Sequence, residues 1–346
     1  MTGLPPLLPD QRKADADHRD RHVGLILFGI LEILIGGVCS LMIPLMLFAT
    51  AIASRRPDAP PAPPMPVLVM LIYGFIAAGF IWLGIGSILA RRWARAILAC
   101  LSGVALCGGI LGGAWAVFFL PRFWAVSMSQ PGQPALPPAA LATIKIITVV
   151  SLGVIYVLIP GALFLFYRSR HVRRTCELRD PVERWTDRCP LPVLAFSLVA
   201  ALCGIGLLAM LGAIHVFPVF GLIVSGGPAI LLGALFAAFS LYLAWGFYHL
   251  NARAWWLALF AQLAYAASSA ISVWRIDFAA LYLKLGFDPR LAASSAQVIT
   301  SPGFGWFTLF PFLACIAWLL LIRSHFSKPG STPGGLDGLA EGGGLS

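Results

Sequence analysis

Eight apolar runs, each longer than the roughly 18 residues needed to cross the hydrocarbon core of a bilayer, take up most of this chain. They fall at about residues 23–52, 66–90, 94–120, 142–167, 191–216, 222–248, 254–275 and 304–323. Backbone in lipid must satisfy its N–H and C=O groups internally, so runs of this length fold as helices. The expected class is all-α: a polytopic integral membrane protein of about eight transmembrane helices. Composition agrees, since 11% of the 346 residues are charged where a soluble domain carries roughly 25%.

The runs divide the chain into a polar N-terminal segment (1–22), a first four-span half (23–167), a basic linker (168–190), a second four-span half (191–326) and a flexible Gly-rich tail (327–346). The first run is about 30 residues, longer than the roughly 7–15 of a signal-peptide core. It is expected to remain as an uncleaved anchor.

Charge sets the expected orientation. With the N-terminus inside, 17 of the 24 Lys and Arg residues lie on the inner side and 7 on the outer. A bias of this size across short loops places both termini in the cytoplasm, in a cell (inner or plasma) membrane. The net charge of +10 then reads as topology and as contact with anionic lipid headgroups at the inner face. No motif for nucleic acid accompanies it, and none is expected as a partner.

The halves share a layout that suggests a 4+4 internal repeat. In each, the second and third spans join through an inner hairpin containing Ala-Arg-Ala, at Ala94-Arg95-Ala96 and Ala252-Arg253-Ala254. In each, the fourth span ends on Arg-Ser, at Arg168-Ser169 and Arg323-Ser324. The shifts of 158 and 155 residues agree closely. An even number of spans would give both halves one orientation, related by an axis along the membrane normal. Chance in an Ala- and Arg-rich chain would produce the same matches.

Glu32 is the first candidate for function, being the one acidic residue inside an expected span. At 1.5 Å per residue it stands near the bilayer middle, where desolvation disfavours the charged form of an unpaired carboxylate. Intramembrane ionisable groups are functional hypotheses by default; polar cross-linking to Ser, Tyr or Gln262 of a neighbouring helix is the plainer account. Gly108, Gly109, Gly112 and Gly113 in the third span form overlapping small-xxx-small pairs, expected to pack helices closely. Pro44, Pro160 and Pro311 fall inside spans, where they kink or break helices, and Gly226-Gly227-Pro228 opens the sixth.

The linker is the most distinctive polar segment. Asp180-Pro181-Val182-Glu183 has the form of a helix start, with Asp as cap and Pro at the first position. The fourth span is expected to extend inward, turn at Asp180 and lead into a short surface helix. Arg173, Arg174, Arg184, Trp185 and Arg188 are its candidate contacts to lipid headgroups or to a protein partner docked at residues 168–190. Outside, Phe123–Met128 and Phe278–Phe287 are expected as interfacial helices, and Asp288-Pro289 as a second helix start.

The seven Cys and six His do not match metal spacings, so no metal, haem or other cofactor is expected. No nucleophile elbow, phosphate loop or zinc-protease motif is present, and catalysis is not expected. Two function classes follow: a non-enzymatic subunit, assembly factor or scaffold that docks a partner through the linker, or a small-solute transporter, proton-linked through Glu32. An intramembrane enzyme stands third.

Overall fold

The computed structural model describes residues 19–53, 55, 65–128, 138–212, 216–284, 289–300 and 303–326. Expectations that fall on residues 1–18, on 54 and 56–64, on Asp288 or on the 327–346 tail lie outside the described residues.

Among the described residues, eight segments are long and apolar enough to cross a membrane. The first three are α1 (His22–Ala53), α2 (Met65–Ile88) and α3 (Arg92–Met128). The fourth is built of α4 (Pro138–Gly153), a π-helical turn (Val154–Leu158) and α5 (Ile159–Arg168). The linker holds α6 (Arg170–Arg179) and a 3₁₀ turn (Trp185–Arg188). Then come α7 (Leu191–Met210), a hairpin of β1 (Val216–Val219) and β2 (Leu222–Ser225), α8 (Gly227–Tyr248) and α9 (Ala252–Arg275). Two short helices, α10 (Phe278–Lys284) and α11 (Pro289–Ile299), precede the last span, α12 (Phe304–Ile322).

The chain is a multi-pass membrane protein of largely helical build, and α1 shows why. Its buried residues Leu25, Gly29, Glu32 and Gly36 recur at helical spacing on one face. The opposite face exposes Leu27, Leu34, Val38, Leu41 and Phe48, each more than half open. An apolar stripe of that length turned outward suits hydrocarbon and not water.

Packing is pairwise. In the first half α1 lies along α2, and α3 against α5; in the second, α7 lies along α8, and α9 against α12. The halves meet where Ala96 and Cys100 of α3 enter the apolar cluster of Val193, Phe247 and Trp255. The α1–α2 seam is made by small residues seven apart. A Cβ on Gly29 would lie 2.7 Å from the Gly84 carbonyl oxygen, and one on Gly36 would lie 2.9 Å from that of Ala77. In the α7–α8 seam, a Cβ on Gly204 would lie 3.1 Å from the Ala237 carbonyl oxygen and 2.8 Å from Leu241.

The two tight hairpins share one geometry. Between α2 and α3, Ala90 has φ 51°; its N–H donates to the Ser87 carbonyl and that of Arg91 to Gly86. Between α8 and α9, Leu250 has φ 52°, and the N–H groups of Leu250 and Asn251 donate to Phe247 and Gly246. Gly86 sits against Ala94, and Gly246 against Ala254. Each of these pairs lies 160 positions apart. The Ala-Arg-Ala likeness at 158 is therefore not the structural register, because Ala94 takes the place of Ala254 and Arg95 that of Trp255.

Three further expectations are corrected. The fifth span stops at Met210 and the sixth begins at Gly227; between them Val216–Val219 and Leu222–Ser225 pair as a hairpin, Val216 opposite Ser225. Its two-residue turn needs positive φ at both positions, supplied by Phe220 (47°) and Gly221 (80°). Phe123–Met128 is the end of the 37-residue helix α3, not a separate surface helix. Asp180 ends α6 in place of starting a helix. Pro44 and Pro311 lie inside α1 and α12, whereas Pro160 accompanies a change of helix type. Lacking an N–H, Pro160 cannot bond the Tyr156 carbonyl in the α pattern, and the π turn lies directly before it.

Candidate functional site

Glu32 is fully buried, at the centre of the inward face of α1. The Gly29–Gly84 contact brings α2 close enough for Ser87 to reach α1, and α5 supplies Tyr167 from the other side. The Tyr167 hydroxyl lies 3.0 Å from Glu32 Oε1 and 2.7 Å from Ser87 Oγ. Ser87 Oγ lies in turn 3.0 Å from the Leu25 carbonyl oxygen, to which it donates. Three helices distant in sequence are thus tied by one line of hydrogen-bonding groups. Tyr167 and Ser87 are as closed to solvent as Glu32.

Hydrogen counting gives this line two forms. With a proton on Glu32 Oε1, the carboxyl donates to the phenol, the phenol to Ser87 and Ser87 to the Leu25 carbonyl, so every hydrogen finds an acceptor. With the carboxylate charged, Tyr167 donates to Glu32 and Ser87 to Tyr167, and the Leu25 carbonyl loses the additional bond from Ser87. Glu32 Oε2 is buried without a hydrogen-bond partner among the described residues. The arrangement can therefore cross-link three helices and can hand a proton along two hydroxyls.

The site lies toward the Arg-rich end of the bundle. A helical side chain leans toward the N-terminus of its helix, which brings the Glu32 carboxyl down toward the registers of Leu25 and Tyr167, one residue before Arg168. Arg95 is part of the same environment: it is buried, and its Nη1 donates to the Tyr167 carbonyl at 3.3 Å. Read as a loop residue in the sequence, it stands inside the bundle because α3 begins at Arg92.

The linker is a folded layer over that end. Val172, Thr175 and Cys176 bury one face of α6, and Thr175 Oγ1 accepts the Arg21 N–H at 3.1 Å. Asp180, 2% exposed, is the hub. It accepts from the Arg184 guanidinium at 2.8 Å and from the Arg92 N–H at 3.3 Å, with Arg91 at 3.7 Å. The Arg184 hydrogen bond, joined by that from Arg92, holds the Asp180 carboxyl below the usual carboxylate range against the opposing effect of burial. Burial pushes the thiols of Cys176 and Cys189 up to about 11.

These pairings sort the expected contact residues. Arg184 is held by Asp180, while Arg173 and Arg174 both pair with Glu177. Arg188 and Trp185 are exposed, and beside them Leu178 and Val182 also stand open. The four glycines of α3 separate as well. Gly109 packs against the Tyr156 carbonyl of the π turn, whereas a Cβ on Gly108, Gly112 or Gly113 would meet nothing within 4 Å. The glycines that do close a seam, Gly29, Gly36 and Gly84, announce themselves only by a seven-residue spacing that has to be read on two helices at once.

No known family model, curated protein or solved structure matches the chain. The functional reading rests on its own geometry.

Proposed function

We propose that this protein is a non-enzymatic membrane component, a subunit, assembly factor or scaffold, that docks a partner through its 168–190 linker on the cytoplasmic face. The observation that carries this reading is the folded state of the linker. Asp180 pins it to the α2–α3 hairpin, while Leu178, Val182 and Trp185 stay between 45% and 59% exposed. Apolar side chains held open on a rigid, Arg-rich surface suit a protein contact, with anionic headgroups supplementing it through Arg188. The excess of Lys and Arg on this face supports putting both termini there as well.

We infer that the two four-span halves are one unit used twice in the same orientation. The matched hairpins at 160 residues and the matched Gly36–Ala77 and Gly204–Ala237 seams support this.

The test is purification in mild detergent from the native membrane, with mass spectrometry of what stays bound. A stoichiometric protein that is lost from a Leu178→Ser, Val182→Ser, Trp185→Ser variant is the expected result. A partner retained by that variant, or no partner at all, would reject the docking reading.

The Glu32–Tyr167–Ser87 line favours a second reading, proton-linked solute transport. Glu32→Gln keeps size and hydrogen bonding but cannot release a proton. Acidification of liposomes that is driven by solute and lost in Glu32→Gln is what this reading requires; identical behaviour of the variant removes it.

A further inference from the structure

We infer that the second half binds a neutral amphipathic lipid, drawn from the bilayer, in the half-open cavity between α7, α8, α9 and α12. The cavity measures about 710 Å³, within the roughly 300–1,000 Å³ of small-molecule sites. Among the described residues that line it there is no Asp, Glu, Lys, Arg or His, so an ionised head would meet no counter-charge from them. Its walls are chiefly phenylalanine and aliphatic residues.

Ser240 of α8 and Thr308 of α12 each add one hydroxyl to the lining, and the other polar side chains are ordered on one helix. Gln262, Tyr265, Ser268, Ser269 and Ser272 all come from α9. At spacings of three and four they form one face of that helix, about 15 Å long at 1.5 Å per residue. Ser268 and Ser272 are already engaged, accepting the N–H groups of Phe220 and Gly221 at 3.0 and 3.1 Å. Those bonds fasten the β1–β2 hairpin over the cavity. Gln262, Tyr265 and Ser269 line the same wall, and their hydrogen-bonding groups are the ones offered to an occupant. An apolar body with a hydroxyl or carbonyl at one end matches this wall.

The first half shows what the same wall does when it is closed. Gly108, Gly109 and Gly112 of α3 stand 160 positions before Ser268, Ser269 and Ser272. There Gly109 lets the fourth span touch α3 directly at Tyr156. On α9 the serines take the place of the glycines, and the space stays open. The first helices differ in the same sense. At the 168-residue spacing of Gly36 and Gly204, the position of Glu32 is taken by Ala200, a small residue that lines the cavity.

The experiment places the full chain in nanodiscs with a diazirine-bearing monoacylglycerol, followed by light and peptide mapping. Labelling concentrated on α7, α8, α9 and α12 and displaced by unlabelled monoolein is expected. Gln262→Leu should weaken that displacement about tenfold, the effect of a lost buried hydrogen bond, and Ala200→Phe should abolish the labelling by filling the space. Should Ala200→Phe fail to fold, Gln262→Leu and Ser269→Ala carry the test, because they change volume little. Labelling spread evenly over the lipid-facing residues, unaffected by these variants, would overturn the inference. Displacement by ionised oleate as strong as by monoolein would overturn the neutral ligand class.

Discussion

The hydroxyl of Tyr167 meets the carboxyl of Glu32 at 3.0 Å across 135 positions of sequence, and the two are fully buried. Interhelical hydrogen bonds in membranes average about 0.6 kcal/mol and reach about 1.7, but removing one partner of a buried pair costs more, about 1–3 kcal/mol, through the group left unsatisfied. Tyr167→Phe should therefore lower thermal stability in detergent more than Glu32→Gln, which preserves a hydrogen-bonding head. Because the residues share one network, their effects should not add. A double-mutant cycle read by thermal unfolding checks this, and additive losses would dissolve the network.

Asp180 gives the linker a pH dependence of defined sign. Its folded carboxyl titrates below the unfolded value, held there by Arg184. A depressed acid contributes stability that is fully present above the unfolded pKa, near 3.9, and is lost as pH falls through the lower folded value. Trp185 fluorescence followed from pH 6 to pH 2 should report release of the linker at the acid end. In Asp180→Asn the linker should be loosened already at neutral pH, and the acid transition should shrink.

Burial and a thiol near 11 make Cys176 and Cys189 poor nucleophiles at neutral pH, since the thiolate is the reactive form. Maleimide treatment of the folded protein at pH 7 should leave both unlabelled, and denaturation should expose them. Mass spectrometry of the two peptides decides. Fast labelling of either would mean that the linker is not packed on the bundle.

What the sequence makes legible here is what lipid imposes along a single helix. The run lengths mark the spans because hydrocarbon forbids unpaired backbone, and α1 and α9 begin and end within two residues of expectation. Glu32 is conspicuous for the same reason. Its partners are not, because pairing Glu32 with Tyr167 and Ser87 depends on how α1, α2 and α5 are juxtaposed. Asp180 illustrates the opposite error. Its local pattern of Asp-Pro-Val-Glu favours a helix start, but Arg184, Arg91 and the Arg92 N–H offer more than a cap does. The β1–β2 hairpin was hidden in apolar runs, where strand and helix residues cannot be told apart by hydropathy, although Pro218, Gly221 and Gly226-Gly227-Pro228 punctuate it.

The glycines supply a paired test on the third and second spans. Gly109→Val would drive a side chain into the Tyr156 carbonyl, and Gly84→Val into Gly29, whose carbonyl oxygen lies 2.7 Å from an added Cβ. Overpacking of this kind costs about 1–3 kcal/mol. Gly108→Ala and Gly112→Ala meet open space and remove a flexible residue from a helix, which is worth up to about 1 kcal/mol in the stabilising direction. Thermal unfolding should thus fall for the first pair and hold or rise for the second. Equal losses at all four positions would mean that the whole glycine face of α3 is packed.

The turn of the hairpin offers the sharpest backbone test. Gly221 has φ 80°, a conformation that costs an L-residue about 1–2 kcal/mol, and an added Cβ would stand 2.9 Å from the Arg275 Cβ. Gly221→Ala combines both penalties. Gly212→Ala, where no heavy atom stands within 4 Å, is the matched control. Gly221→Ala should also loosen the bonds from Phe220 and Gly221 to Ser268 and Ser272, speeding hydrogen exchange at those two amides while leaving the exchange of α1 and α2 unchanged. Slow exchange retained at Phe220 and Gly221 in the variant would show that the hairpin is held by its apolar residues, and that the serines of α9 are not its anchor.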